Sequence, residues 1–266
     1  MNAALAVAGS HFSFRSVVVA MVMVAVAVGL SHWRRLDLTR DIVVASIRAF
    51  VQLMAIGYVI DLIFRSRSTL AVLAMLAAMV GFAAFTSGQR FKGLAGRYWI
   101  ALAAIGLSSL ATLGLMVALG IISRDARYLI PIGGMVIGNS MNVASVTGVR
   151  LMQDTRSQRA LIETALALGA SPRQAAQSVL RRAVRLALIP TIDSTKTMGI
   201  VFLPGAMTGM IIAGADPLDA VRLQVVIMYM LLTAVAITAV TVSLLVVGSL
   251  FTAAQQVRPL GDVAET

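Results

Sequence analysis

Apolar residues run through this chain in long blocks, separated by short polar clusters rich in arginine. The blocks lie near residues 14–30, 42–64, 69–88, 98–122, 128–147, 197–215 and 223–251, and they predict seven spans. A bilayer's hydrocarbon layer is about 30 Å thick, and a helix needs about 20 residues to cross it. Lipid gives backbone groups no water to bond to, so spanning segments are helices or closed barrels. Barrel strands would alternate polar and apolar positions, and these blocks do not. The pattern predicts an all-α membrane protein, a polytopic helical bundle of about seven transmembrane helices in a single domain over residues 1–266.

Composition sharpens this picture. The chain is 59% hydrophobic and 12% charged, with mean hydropathy +0.91, whereas soluble domains are about a quarter charged. The net charge of +11 would suggest nucleic acid in a soluble protein. Here the cations lie in the loops, as the positive-inside bias requires. There is no cysteine, which excludes disulfides and thiolate metal sites. The start, MNAALAVAGSHFSFRS, lacks a basic n-region and a cleavage signal, so the first apolar block is expected to be a retained span.

Loop cations set the orientation. One side carries Arg34, Arg35, Arg40, Arg90, Lys92, Arg97, Arg150, Arg156, Arg159, Arg173, Arg181, Arg182, Arg185 and Arg258. The other carries only Arg15, Arg65, Arg67, Arg124, Arg127 and Arg222. The richer side is assigned to the cytoplasm of a plasma (inner) membrane protein, with the N-terminus outside and the C-terminus inside. The outer loops are short. The sizeable non-membrane element is the stretch 148–195, read as a cytoplasmic coupling segment within the domain.

That stretch divides into two helices. Residues 151–168 have helical character, and Gly169 is a natural C-terminal stop. Ser171 suits an N-cap and Pro172 the first helical position. A second helix follows to about Ile189. Its apolar residues Ala175, Ala176, Val179, Leu180, Ala183, Leu186 and Ala187 recur at three and four, and its arginines fill the other face. This predicts an amphipathic helix on the membrane surface, with arginines toward anionic headgroups. The bland alternative is a connecting loop. The sharper one is a docking element, in which a small-sided helix around Glu163 ends at Gly169 and fits a cytoplasmic motor.

Polar groups within spans are costly and mark candidate function. Arg48 and Gln52 lie one turn apart on span two, where snorkelling of Arg48 is the plain alternative. Asp61 lies near the outer end. Span five ends in Asn139, Ser140, Asn142, Ser145 and Thr147, read as one polar face that either lines a pathway or glues helices together. Span six opens with Asp193 and Lys196, an i,i+3 pair. It then carries Pro204-Gly205, where a kink or broken helix could form a gate. Met198, Met207 and Met210 lie on or near it; core packing is the ordinary role for methionine, a soft-metal path the alternative.

No ATP site is visible. Lys196-Thr197 is the only Lys-Thr pair, and Thr195 and Pro190 stand where a phosphate loop needs glycines. His11 and His32 fall on opposite sides of span one, too far apart for one metal. No metal ligands or catalytic residues are assigned.

Two resemblances narrow the function. ETALALGASPRQA resembles the coupling loop of ABC-transporter permeases, whose importer form is Glu-Ala-Ala, three residues, then Gly. Glu163, Ala165 and Gly169 match this spacing, Thr164 departs from it, and Arg182 stands where that pattern places a proline. IRAFVQL at 47–53, GMVIGNSMNVAS at 134–145, ETALALGAS at 163–171 and PTIDSTKTMGIVFLPGAMTGMIIAGADPLDAVRLQ at 190–224 together resemble the FetB-like iron-export ABC permease family, whose plant relatives are linked to aluminium tolerance. The resemblance implies a permease subunit that forms a homodimer and exports a metal ion such as iron. ATP–Mg would be hydrolysed in a separate cytoplasmic ATPase subunit docked on Glu163, Ala165, Leu168, Gly169 and Ala170, with no cofactor held by this chain. Open alternatives are an ABC permease for a non-metal solute, an ATP-independent secondary transporter or channel, and a membrane scaffold.

Overall fold

The computed structural model of the chain describes residues 14–34, 38–66, 68–91, 93–252 and 256–258. His11, Arg35, Arg67, Lys92, the side chain of Arg15 and the start that was read for a leader lie outside the described residues. Ten helices follow one another among the described residues: α1 Phe14–Trp33, α2 Thr39–Ser66, α3 Thr69–Arg90, α4 Arg97–Ala118, α5 Ala126–Ser157, α6 Arg159–Ala167, α7 Pro172–Ala175, α8 Gln177–Thr197, α9 Gly205–Ile212 and α10 Pro217–Leu250. Among the described residues no strand forms. Five helices among the described residues, α2, α3, α4, α5 and α10, are long and apolar enough to cross a membrane. This is a multi-pass, all-helical membrane protein.

Local chemistry sets the helix starts. Ser68 caps α3 by accepting from the Ala71 N–H at 3.4 Å. Asp125 caps α5 through the Arg127 N–H at 2.9 Å, and Asp216 caps α10 with Pro217 at the first position. Each satisfies a backbone donor that a helix start leaves orphaned.

The body is built from α3, α4, α5, α8 and α10. Its main core joins Phe91, Ala101, Ala104, Ile105, Leu151, Met152, Val242 and Val246, all fully buried. Small residues let the helices approach closely, as in other membrane bundles. Gly148 on α5 is the tightest case, since any side chain there would overlap the buried Phe91 ring. The α1–α2 hairpin sits at the edge. α2 meets the body mainly near its end, where Ile63 joins Val72 of α3 and Ile130 of α5.

The sixth expected span is not one helix. The block 197–215 breaks into a non-helical stretch and α9, which has eight residues. Eight residues rise about 12 Å, too little to cross a bilayer alone. The preceding helix does not stop near Ile189 but passes through Pro190 to Thr197. Its apolar face was placed correctly but its partner was not. Val179, Ala183 and Ala187 are buried against the bundle, not laid on headgroups. Ala187 packs with Val143 of α5 and with Val235 and Ala239 of α10. Further along, Ser194 lies beside Asn139, so α8 runs antiparallel to α5.

Candidate functional site

The docking stretch and the polar span faces come together through α5, α6 and α8. α6 is amphipathic: Ile162 is 1% exposed within the main core, and Leu166 packs against it one turn later. Leu161 and Leu168 face outward, Leu168 at 83% exposure. Glu163 is exposed and accepts from Arg159 Nε at 2.7 Å. Ala165 and Ala170 are half-buried and Gly169 is exposed. Gly169 has φ +89°, a left-handed conformation that glycine adopts cheaply. Its N–H and that of Ala170 return to the Leu166 and Ala165 carbonyls, at 2.9 and 3.0 Å, closing the helix end. Ser171 then caps the next helix with Pro172 at the first position, as predicted, and Gln174 completes a capping box. A short exposed helix with an apolar tip is thus anchored on the body through Ile162 and Leu166.

Across the bundle, Asn139 and Asn142 of α5 and Pro190, Thr191 and Ser194 of α8 line a groove of about 280 Å³, floored by Val143, Val146 and Ala187. Asn139 Nδ2 donates to the Met135 carbonyl at 2.8 Å, which leaves its oxygen free toward the groove. Asn142 is exposed. The groove is therefore lined by amide and hydroxyl side chains and by no ionised group. Thr191 and Ser194 were missed in the sequence because α8 was expected to end first.

The polar face of α5 splits. Asn139 and Asn142 look into the groove. Ser140 and Ser145 turn inward: Ser140 Oγ pairs with Ser108 Oγ of α4 at 3.2 Å, and Ser145 Oγ donates to Ser87 Oγ of α3 at 3.2 Å. An i,i+3 series drifts about 60° per step on a helix of 3.6 residues per turn, so 139, 142 and 145 cannot share one face. Thr147 is buried and bonds its own backbone. Both the glue and groove-lining roles occur, on different residues.

The other candidates lie apart. Asp193 and Lys196 pair at 3.3 Å, both well exposed. Arg48 and Gln52 are exposed on α2, and Arg48 makes no ion pair among the described residues. Asp61 pairs with Arg65 at 2.9 Å. Pro204 precedes α9 and Gly205 starts it, so the helix break predicted there is present, beginning already after Thr197. The methionines do not converge. Met198 Sδ accepts from the buried Gln224 Nε2 at 3.7 Å, Met210 lines a small pocket with Met135, and Met207 is half-buried nearby. Among the described residues no three His, Asp or Glu cluster to hold a metal.

Comparison with known proteins places the chain. Residues 14–251 match the Uncharacterised protein family (UPF0014). The chain is 41% identical to the UPF0014 membrane protein YjkA of Bacillus subtilis over 92% of its own length and 98% of that protein. It is 41% identical to the protein ALUMINUM SENSITIVE 3 of Arabidopsis thaliana, over 90% and 88%. It is 36% identical to the protein named "Probable iron export permease protein FetB" of Escherichia coli, over 85% and 87%. No solved structure matches. The chain belongs to the UPF0014 family of membrane proteins.

Proposed function

We propose that this chain is the permease subunit of an ABC transporter that exports a metal ion such as iron, driven by a separate cytoplasmic ATPase subunit. The observation that carries the reading is α6, whose exposed Leu161, Glu163 and Leu168 are presented by a helix anchored through Ile162. Kinship with the FetB-named protein supports the cargo and the direction.

In this reading seven crossings form, with α1 the first, α8 the sixth and α9 at the outer end. The N-terminus is outside and the C-terminus in the cytoplasm, so α6 and the exposed Arg181, Arg182 and Arg185 stand on the cytoplasmic side. Closure of the ATPases pushes α6. Ile162 belongs to the same core as Leu151 and Met152 of α5 and Val179 and Ala183 of α8, so the push reaches both helices that line the groove. A second copy of the chain closes the open side of the groove, and the cargo passes along oxygen donors, which suit hard cations. Exposed amides and hydroxyls facing lipid would be costly, which favours this enclosed arrangement.

Cellular iron tests the cargo. Cells carrying the chain with its ATPase should hold less iron under iron load than cells lacking it, and Asn142→Leu should abolish the difference. Equal iron in all three would overturn the metal-export reading while leaving the permease reading standing.

A further inference from the structure

A cavity of about 420 Å³ lies where three spans meet their ends: Phe64 near the end of α2, Ser68 and Thr69 at the start of α3, and Arg124 and Arg127 at the start of α5. Span ends lie at the depth of lipid headgroups, so this cavity opens at the membrane surface. Its lining holds two arginines against one carboxylate, Asp125, so a net positive charge remains. Neither Arg124 nor Arg127 forms an ion pair among the described residues. The Asp125 carboxylate also lines the cavity, and its Oδ1 accepts from the Arg127 N–H at 2.9 Å as the α5 cap. The nearby Arg65 is already paired with Asp61 at 2.9 Å.

The other lining groups complement an oxyanion. Ser68 Oγ accepts from the Ala71 N–H at 3.4 Å, which leaves its O–H free to donate. Thr69 is exposed. The Arg127 guanidinium lies 6.0 Å over the Phe64 ring, which orients it, and with Val72 that ring gives the cavity an apolar wall. Guanidinium pairs bind phosphate through forked hydrogen bonds, and basic pockets between transmembrane helices hold lipid headgroups. Two cations against one carboxylate, with two hydroxyls and an apolar wall, therefore match a phosphate group carrying an organic substituent better than they match a cation.

We propose that this cavity binds a phosphate-bearing anion, either a phospholipid headgroup or free phosphate, and thereby clamps the α1–α2 hairpin to the body. The position gives the clamp its effect. Ile63, Val72 and Ile130 just beneath are the main apolar contact of α2 with the body, and the anion would bridge α3 to α5 directly above them while its organic substituent packs on Phe64 of α2. The site is independent of the transport reading and of the groove between α5 and α8.

The test uses the full chain purified in detergent, with thermal unfolding followed against phosphatidylglycerol, phosphatidylcholine and inorganic phosphate. The wild type should show a saturable rise in Tm with phosphatidylglycerol or with inorganic phosphate. Arg124→Gln/Arg127→Gln should weaken half-saturation by about tenfold or more, as the loss of charge-assisted bonds implies. Arg90→Gln, a cation at the opposite end of α3, should leave it unchanged. Saturation by the lipid alone assigns the headgroup, and saturation by inorganic phosphate assigns the free anion. Should the double variant not fold, Arg124→Gln alone carries the same comparison. No saturable response in the wild type, or an unchanged half-saturation in the arginine variants, overturns the proposal.

Discussion

Helices α2 and α5 make an instructive pair. Both are long enough to cross a bilayer and both carry polar residues within their length. Over its most apolar 18-residue window α5 is 56% buried, whereas α2 is 0% buried. The polar groups of α5 are largely answered within the chain: Ser140 by Ser108, Ser145 by Ser87, Asn139 by the Met135 carbonyl. Arg48 and Gln52 of α2 are left open. A polar residue in a span is thus not one kind of signal. On α5 the serines supply internal adhesion while Asn139 and Asn142 line the groove; on α2 it faces whatever lies outside the chain.

Substitutions break or sharpen this contrast. The largest effect is expected at Phe91, whose ring is fully buried against Gly148. Phe91→Ala should cost about 3–5 kcal/mol, read as a loss of monodisperse protein in size-exclusion chromatography or a large fall in Tm. Gly148→Leu drives a side chain into the same ring and should cost about 3 kcal/mol or more. Near-wild-type Tm in both would mean that α3 and α5 are not packed as described. Ser140→Ala removes one buried pair and should cost about 1 kcal/mol, because Ser108 Oγ still donates to the Ile105 carbonyl at 3.0 Å. The smallest effect on stability is expected at α2. Arg48→Leu should change the stability of the isolated chain by about 0.5 kcal/mol or less, yet reduce export by the assembled transporter. A fall in Tm as large as that of Phe91→Ala would show that Arg48 is held inside the fold after all.

The contrast also separates what sequence pattern can and cannot tell. The spans α2 to α5 and α10 are legible because apolar runs of bilayer length have few other fates. The turn after α6 is legible as well, since Gly169, Ser171 and Pro172 each supply a local requirement, and all three are used as expected. α8 is harder. Its first half is rich in arginine and it contains Pro190, so pattern alone stops it early and lays it on the membrane. Its burial comes from alanines at 183 and 187 that admit α5 and α10 closely, and small residues barely register in hydropathy. The groove was half legible for the same reason: Asn139 and Asn142 stood out, but Thr191 and Ser194 belong to a helix whose path depends on tertiary packing. The splitting of the α5 serines needed the neighbouring helices in place, because their partners Ser87 and Ser108 are ordinary hydroxyls in apolar runs.

The account rests most heavily on α6 as the element through which an ATPase drives α5 and α8. Gly169→Arg tests it directly, because its φ of +89° and its open surroundings make it a site where a large side chain strains the turn and blocks a docking partner while leaving the core untouched. The measurement is co-purification with the candidate ATPase subunit and vanadate-sensitive ATP hydrolysis in liposomes, wild type against variant, with folding checked by Tm. The account predicts that the wild type binds and stimulates the ATPase, and that Gly169→Arg remains folded but loses both. Binding and stimulation at wild-type levels in the variant would contradict it.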